Sequence, residues 1–132
     1  MINQENLIQR FYNNLWNKFD KSQIPNLLKK DFKFIGTFGH VTNGYNDFSK
    51  AVDFVKNFSP DQKITILDII SENNKSFAKI KFSGTHKGKI FDIKATNKKF
   101  SYIGCAIFTF EDNLIKELWV LGDIYNLLNQ LK

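Results

Sequence analysis

Two side chains could carry acid/base chemistry, a histidine and a carboxylate that each follow a strand-like segment. His86 shares the apolar face of residues 76–86 and could donate a proton or polarise a carbonyl group. Asp123 follows the apolar run 114–121, and burial of its face would raise the pKa of the carboxylate toward that of a general base. One hypothesis is therefore an enzyme that performs acid/base chemistry, with Asp123 as base and His86 as helper.

Each residue of this pair also has a structural interpretation. Asp123 could act only as the N-cap of a helix over 124–131, which would stabilise the carboxylate as its anion. His86 could bond a backbone carbonyl at the end of its strand. Both interpretations stay open at this point. The other histidine, His40, lies in the loop 39–44 and is expected to be exposed.

Aromatic side chains could form the wall of a ligand cavity, since buried Trp and Tyr favour positions where a polar partner is available. The candidates are Tyr12, Trp16, Phe34, Phe38, Tyr102 and Trp119. The same spacings are also typical of an ordinary core. Cys105 is expected to fill space within its strand. The remaining carboxylates considered are expected to be solvated: Asp47, Asp53, Glu72, Asp92 and Glu111.

Composition narrows the class of protein. The 132 residues fit a single domain over 1–132, and a 42% hydrophobic content fits a folded chain without a membrane span. The net charge is +6, but the lysines are scattered, which argues against a nucleic-acid partner. One cysteine allows no internal disulfide, and Cys and His cannot build a structural zinc site. With no visible signal segment, we expect a cytoplasmic protein that contacts no membrane.

Periodicity changes from helical to strand-like near residue 62. Helices are predicted over 4–19, 24–30, 46–58 and 124–131, and strands over 32–35, 62–71, 76–86, 89–95, 99–110 and 114–121. Helices followed by antiparallel strands predict an α+β fold, a curved antiparallel sheet wrapped around N-terminal helices. An apolar cavity between the two layers would suit a small apolar molecule.

The strand over 99–110 is apolar on both faces. Its two sets of alternating residues are Phe100, Tyr102, Phe108 and Phe110 on one face, and Ile103, Cys105 and Ile107 on the other. One layer of helices covers only one face, so a second copy of the chain is expected to cover the other. The pattern therefore predicts a homodimer.

Several motifs occur together in a fixed order. They are the opening Leu7-Ile8-Gln9-Arg10-Phe11-Tyr12-Asn13, Gly44 before helix 46–58, Phe82-Ser83-Gly84-Thr85-His86-Lys87-Gly88, and an ending from Ile107 to Leu131 that contains Glu111-Asp112-Asn113 and Glu117-Leu118-Trp119. Together they cover nearly the whole chain. The sequence resembles the SnoaL-like polyketide cyclase and ester cyclase branch of the nuclear-transport-factor-2-like superfamily.

This resemblance implies a cone-shaped, cystatin-like α+β barrel with a deep apolar pocket, usually in a homodimer. Family enzymes close a ring by an intramolecular aldol step with no metal and no cofactor, using a pocket carboxylate helped by a histidine. The sequence departs from the family motif at Leu118, where the family has His, and at Val120, where it has Asp. Asp123 and His86 remain as the catalytic candidates. The alternative is a non-catalytic ligand-binding or dimeric scaffold domain.

Overall fold

The computed structural model describes residues 3–132. The helices are α1 (Gln4–Arg10), which continues as a π-helical stretch (Phe11–Trp16), then α2 (Ile24–Leu27), α3 (Tyr45–Phe58) and α4 (Ile124–Gln130). The strands are β1 (Leu28–Ile35), β2 (Val41–Asn43), β3 (Lys63–Glu72), β4 (Lys75–Thr85), β5 (Lys99–Glu111) and β6 (Leu114–Gly122). No helix within 3–132 is both long enough and apolar enough to span a membrane.

The six strands form one curved sheet in the order β2-β1-β6-β5-β4-β3. Strands β3 to β6 pair antiparallel, which confirms the predicted α+β architecture. Short turns join β3 to β4 and β5 to β6, whereas a loop over 86–98 joins β4 to β5. The pairing of β1 with β6 is parallel, and the short β2 was not predicted. Strand β1 begins at Leu28, inside the segment that was predicted to be helical. Pairing between segments that are far apart in the chain depends on the tertiary fold, which local periodicity does not reveal.

The N-terminal helix changes its winding in the middle. Asn3 caps α1 by accepting a hydrogen bond from the backbone N–H of Asn6, as the sequence predicts. From Phe11 the helix widens, and the N–H of Asn17 bonds the carbonyl of Tyr12 at 2.8 Å, an i to i−5 bond. The Asn17 side chain then exchanges two hydrogen bonds with the backbone of Ile64. These bonds fix the end of the helix against β3.

A predicted strand over 89–95 is instead part of a loop. Only Ile90 and Ile93 form an isolated bridge there, and Phe91 and Asp92 have positive φ angles of 46° and 63°. Left-handed residues interrupt an extended run, which is why the strand prediction is wrong. The loop docks on the end of α3, where the N–H groups of Lys87 and Gly88 donate to the carbonyl of Phe58.

Aromatic rings fill the space between the helices and the inner face of the sheet. Phe48 of α3 is fully buried, and its ring lies 5.1 to 6.3 Å from four others, those of Phe11, Trp16, Phe32 and Phe34. Along β4 the predicted alternation holds, with Ala78, Ile80 and Phe82 buried on the inner face. This packing fixes the walls of the cavity described next.

Candidate functional site

A mostly apolar cleft of about 510 Å³, including its open mouth, lies between the helices and the inner face of the sheet. An apolar cleft with a few polar groups on its wall is typical of sites for small organic molecules. Its walls come from the π-helical stretch, the β1–β2 turn, α3 and five strands of the sheet, β1 and β3 to β6. The lining residues are Tyr12, Trp16, Phe34, Gly36, Thr37, Phe38, His40, Ala51, Val55, Gln62, Ile64, Ile80, Phe82, Tyr102, Leu118 and Val120.

Five of the six candidate aromatics lie on this wall. Tyr12 and Trp16 come from the π-helical stretch, Phe34 from β1, Phe38 from the β1–β2 turn, and Tyr102 from β5. Phe38 also packs against Phe54 and Phe58 of α3, which holds the turn over the helix. The structure therefore brings these five side chains together around one space.

The sixth candidate, Trp119, does not line the cleft, so its predicted position is wrong. Leu118 and Val120 point inward from β6, and Trp119 therefore lies on the outer face of the sheet opposite Ile107. The prediction assumed that a large apolar side chain must face the helices. Because this sheet is apolar on both faces, side-chain size did not identify the inner one.

Asp123 does not point into the cleft either. The residue is exposed, and its carboxylate accepts a hydrogen bond from the backbone N–H of Asn126 at 3.1 Å. It is the N-cap of α4, the structural interpretation that the sequence left open. Its predicted position beside His86 in a shared cavity is therefore wrong. The structure offers no basis for an Asp123 base acting on a molecule in the cleft.

His86 is fully buried but lies outside the cleft wall. Its Nδ1 accepts a hydrogen bond from the backbone N–H of Thr96 at 3.2 Å and lies 3.0 Å from the Thr96 hydroxyl. Its backbone bonds Lys98 and Asn97, and its ring packs 5.6 Å from that of Phe58. These contacts join the two ends of the loop between β4 and β5, so His86 has a structural position here.

Three polar atoms on the cleft wall have no protein partner. The hydroxyls of Tyr12 and Tyr102 and the side-chain oxygen of Gln62 are buried, and none finds a hydrogen-bond partner among the residues described. Burial raises the pKa of both phenols, and for Tyr12 the nearby Cys105 adds to the effect. Both tyrosines therefore remain protonated hydrogen-bond donors at neutral pH.

His40 is a lining residue that the sequence interpretation missed. It was expected to be exposed in its loop, but the imidazole is partly buried on the cleft wall, and its ring centre lies 4.7 Å from that of Phe54. Burial lowers the pKa of the imidazole below its usual value, so the ring is neutral at pH 7. No local pattern marks this residue, because its position depends on the β1–β2 turn folding back over α3.

Comparison with known proteins identifies the family of this chain. The family model described as SnoaL-like polyketide cyclase matches residues 6–131. The chain belongs to the SnoaL-like polyketide cyclase family. The resemblance seen in the sequence motifs is thereby confirmed. No curated protein matches the sequence at the level required for significance.

Solved structures of SnoaL-like and related proteins share this fold over nearly the whole chain. TsrD from Streptomyces laurentii is 25% identical with a TM-score of 0.87, covering 99% of this chain and 98% of its own. IdmH from Streptomyces antibioticus is 22% identical with a TM-score of 0.84, covering 98% and 99%. A SnoaL-like polyketide cyclase from Agrobacterium tumefaciens is 16% identical with a TM-score of 0.84, covering all of both chains. These likenesses agree with the nuclear-transport-factor-2-like α+β fold.

This SnoaL-like domain differs from the family motif inside the cleft itself. Position 118, where the motif has His, and position 120, where it has Asp, both lie on the wall, but they carry Leu118 and Val120. Within residues 3–132 no group of three His, Cys, Asp or Glu side chains could hold a metal ion. The ionisable side chains on the wall are therefore His40, Tyr12 and Tyr102.

Proposed function

We propose that this chain binds a small, mostly apolar molecule with a carbonyl oxygen in the cleft and performs cofactor-free acid/base chemistry of the cyclase or isomerase type on it. The proposal rests on one observation, the three unpartnered polar atoms of Tyr12, Tyr102 and Gln62 in an otherwise apolar wall. Family membership supports the class of chemistry.

The hydrogen-bonding capacity of these three atoms indicates which functional groups a ligand would carry. Each phenol can donate a hydrogen bond to an oxygen such as that of a ketone or an enolate, and the Gln62 oxygen can accept one from a hydroxyl. A buried polar group without a partner costs about 1–3 kcal/mol, so a ligand that pairs with these groups recovers that free energy. An apolar skeleton that carries a carbonyl and a hydroxyl group fits this wall.

Binding can be tested with a ketone and a hydrocarbon of the same shape. We expect 2-tetralone to bind more tightly than tetralin, because only the ketone can accept hydrogen bonds from the phenols. Removing one hydroxyl, in Tyr12→Phe or Tyr102→Phe, should weaken 2-tetralone binding by about 0.5–1.5 kcal/mol and leave tetralin unchanged. Titration calorimetry measures both affinities.

A third tyrosine provides the matched control. Tyr125 is 79% exposed on α4, away from the cleft, so Tyr125→Phe should bind both probes as the unchanged chain does. Equal affinity for ketone and hydrocarbon, or no binding of either, contradicts the proposal.

A second candidate function is binding without chemistry. It is favoured by Leu118 and Val120, because the two positions that carry acid/base groups in the family motif are apolar here. Both candidates predict the same affinities for the two probes. They differ only in whether a proton moves within the cleft, which exchange of the bound ketone's protons for deuterium measures.

We further propose that two copies of the chain associate through the outer face of the sheet. An apolar row crosses that face through directly paired positions, namely Ile70, Phe77, Ile107, Trp119 and Ile35. Ile70 is 63% exposed, and Leu121 next to Trp119 is 54% exposed. Contiguous exposed apolar surface of this kind is typical of a protein interface.

The charges beside this row favour a second copy as the occupant. On one side, paired positions of the sheet carry Glu72, Lys75, Glu117 and Lys33, and on the other Asp68 is paired with Lys79. Each side therefore carries both signs of charge. A two-fold axis can set the positive groups of one copy against the negative groups of the other, because such an interface is self-complementary.

A charge within the row should separate the two copies. We expect the unchanged chain to have the mass of a dimer at tens of micromolar by light scattering, and Ile107→Lys to have that of a monomer, because a buried unpaired charge is strongly unfavourable. Phe91 in the loop between β4 and β5 is also an exposed apolar residue but lies outside the sheet, so Phe91→Lys should remain dimeric. A monomeric mass for the unchanged chain contradicts this proposal.

A further inference from the structure

His40 lies in a turn whose position is fixed at several points. The backbone N–H of Gly36 donates to the carbonyl of His40 at 2.8 Å, which closes the turn between β1 and β2. The backbone N–H of Gly122, at the end of β6, donates to the Thr37 hydroxyl at 2.9 Å. Together with the packing of Phe38 on α3, these contacts hold the imidazole in place on the cleft wall.

The imidazole has a free nitrogen for chemistry. Its ring packs edge to face on Phe54, and no hydrogen bond to either ring nitrogen is found within the described part of the chain. The lowered pKa that follows from burial leaves one nitrogen with a lone pair at pH 7. A positioned neutral imidazole is a competent general base near neutral pH.

The other side chains around the cleft cannot act as a general base at neutral pH. Tyr12 from the π-helical stretch and Tyr102 from β5 are protonated phenols, and the contact from α3 is the uncharged Phe54. No carboxylate, lysine, arginine or cysteine is among the lining residues of the structure as described from residue 3 onward. His40 is therefore the one lining side chain that is a base at neutral pH.

We propose that His40 is the catalytic base of this cleft and removes a proton from the carbon next to the carbonyl group of the bound molecule. This inference rests on the proposed binding of a carbonyl compound. The C–H bond breaks as an N–H bond forms on the imidazole, and its electron pair becomes the carbon–carbon double bond of an enolate. The enolate oxygen accepts hydrogen bonds from the phenols of Tyr12 and Tyr102.

The proton then leaves the imidazolium in one of two ways. Where the ketone carries a β,γ carbon–carbon double bond, the enolate is a dienolate, and the proton can return to its γ carbon, which gives the conjugated isomer of the starting ketone. Alternatively, the enolate carbon attacks a second carbonyl of the same molecule, and the new alkoxide takes the proton, which closes a ring. Atoms and electrons balance in both cases without an oxidant, a reductant or a cofactor, so the sequence of steps is complete with this chain's own residues.

The proton transfer can be measured without knowing the natural substrate. In D2O, the protons next to the carbonyl of 2-tetralone exchange for deuterium once an enolate forms, and proton NMR follows their loss. We expect the unchanged chain to accelerate this exchange and His40→Gln to lose about 10²–10⁴-fold of the acceleration. Calorimetry should show that His40→Gln still binds 2-tetralone with an affinity within about threefold, since the phenols and the apolar wall remain.

Two further measurements distinguish a His40 that acts as a base from a His40 that only supports the fold. Free imidazole added to His40→Ala should restore part of the exchange, which it cannot do for a structural defect. The exchange rate should fall as pH decreases through the lowered pKa of His40, below about 6.5, and stay level from neutral pH to about 10, since both phenols keep their protons there.

The possible failures are distinguishable. If the unchanged chain binds 2-tetralone but does not accelerate exchange, or if His40→Gln exchanges at the full rate, the His40 inference is overturned and the binding function remains. If the unchanged chain does not bind 2-tetralone, the proposed function fails, and the inference that rests on it fails as well.

Discussion

Replacing Phe48 with alanine should lower the free energy of unfolding by about 3–5 kcal/mol, the usual effect of truncating a fully buried phenylalanine. Phe48 is completely buried, and its ring contacts those of Phe11, Trp16, Phe32 and Phe34. Four facing rings cannot all move inward to fill the space, so a cavity remains. Urea unfolding followed by circular dichroism measures the change through the shift in midpoint.

A more exposed phenylalanine provides the control for this prediction. Phe91 is 47% exposed and packs against a single ring, that of Phe38. Phe91→Ala removes the same atoms but should lower the free energy of unfolding by only about 1 kcal/mol, because less apolar area is lost from the interior. Equal effects of the two substitutions would show that the rings around Phe48 do not form the centre of the core.

Adding one methyl group at Gly88 should lower the free energy of unfolding by about 1–3 kcal/mol, the range seen for overpacking. A Cβ atom at this position would lie 2.3 Å from the backbone oxygen of Asn57 in α3, far inside van der Waals contact. The backbone of α3 cannot move aside, so the loop must lift away. That movement breaks the hydrogen bonds from the N–H groups of Lys87 and Gly88 to the carbonyl of Phe58.

Gly39 provides the comparison for Gly88→Ala, since it differs in its surroundings. A Cβ there would meet no atom within 4 Å, although the φ angle is +91°. Gly39→Ala should therefore show only the backbone penalty of about 1 kcal/mol. Hydrogen exchange should separate the two variants as well, with faster exchange at the backbone of Lys87 only in Gly88→Ala. Unchanged protection there would contradict a lifted loop.

Local sequence patterns predicted most elements because each pattern reflects burial of one face. The buried positions of α3, namely Phe48, Ala51, Val52, Val55 and Phe58, recur at helical spacing, and Ala78, Ile80 and Phe82 of β4 recur at every second position. The loop over 89–95 was mistaken for a strand because left-handed angles at Phe91 and Asp92 leave no mark in hydrophobic periodicity. The π-helical turn at Phe11–Trp16 was missed for a similar reason, since its apolar spacing also suits an α-helix.

The candidate site shows where such patterns stop being informative. Helical spacing placed Tyr12 and Trp16 together, and both line the cleft. The inward-facing positions of β6 were assigned from Trp119. The size of this side chain does not indicate which face it lies on, because the sheet is apolar on both faces. The same assignment led to the prediction that Asp123 points into the cavity, whereas its side chain caps α4.

By itself the sequence determined the family, the order of most of the helices and strands, and most of the aromatic wall, because motif order and the spacing of apolar residues are properties of the chain. Only the tertiary structure decided which face of β6 points inward, that His86 joins the ends of a loop, and that His40 reaches the cleft. These outcomes depend on contacts between segments far apart in the chain. The parallel pairing of β1 with β6 and the fold of the β1–β2 turn over α3 are set by packing across the whole core, which no local window of sequence contains.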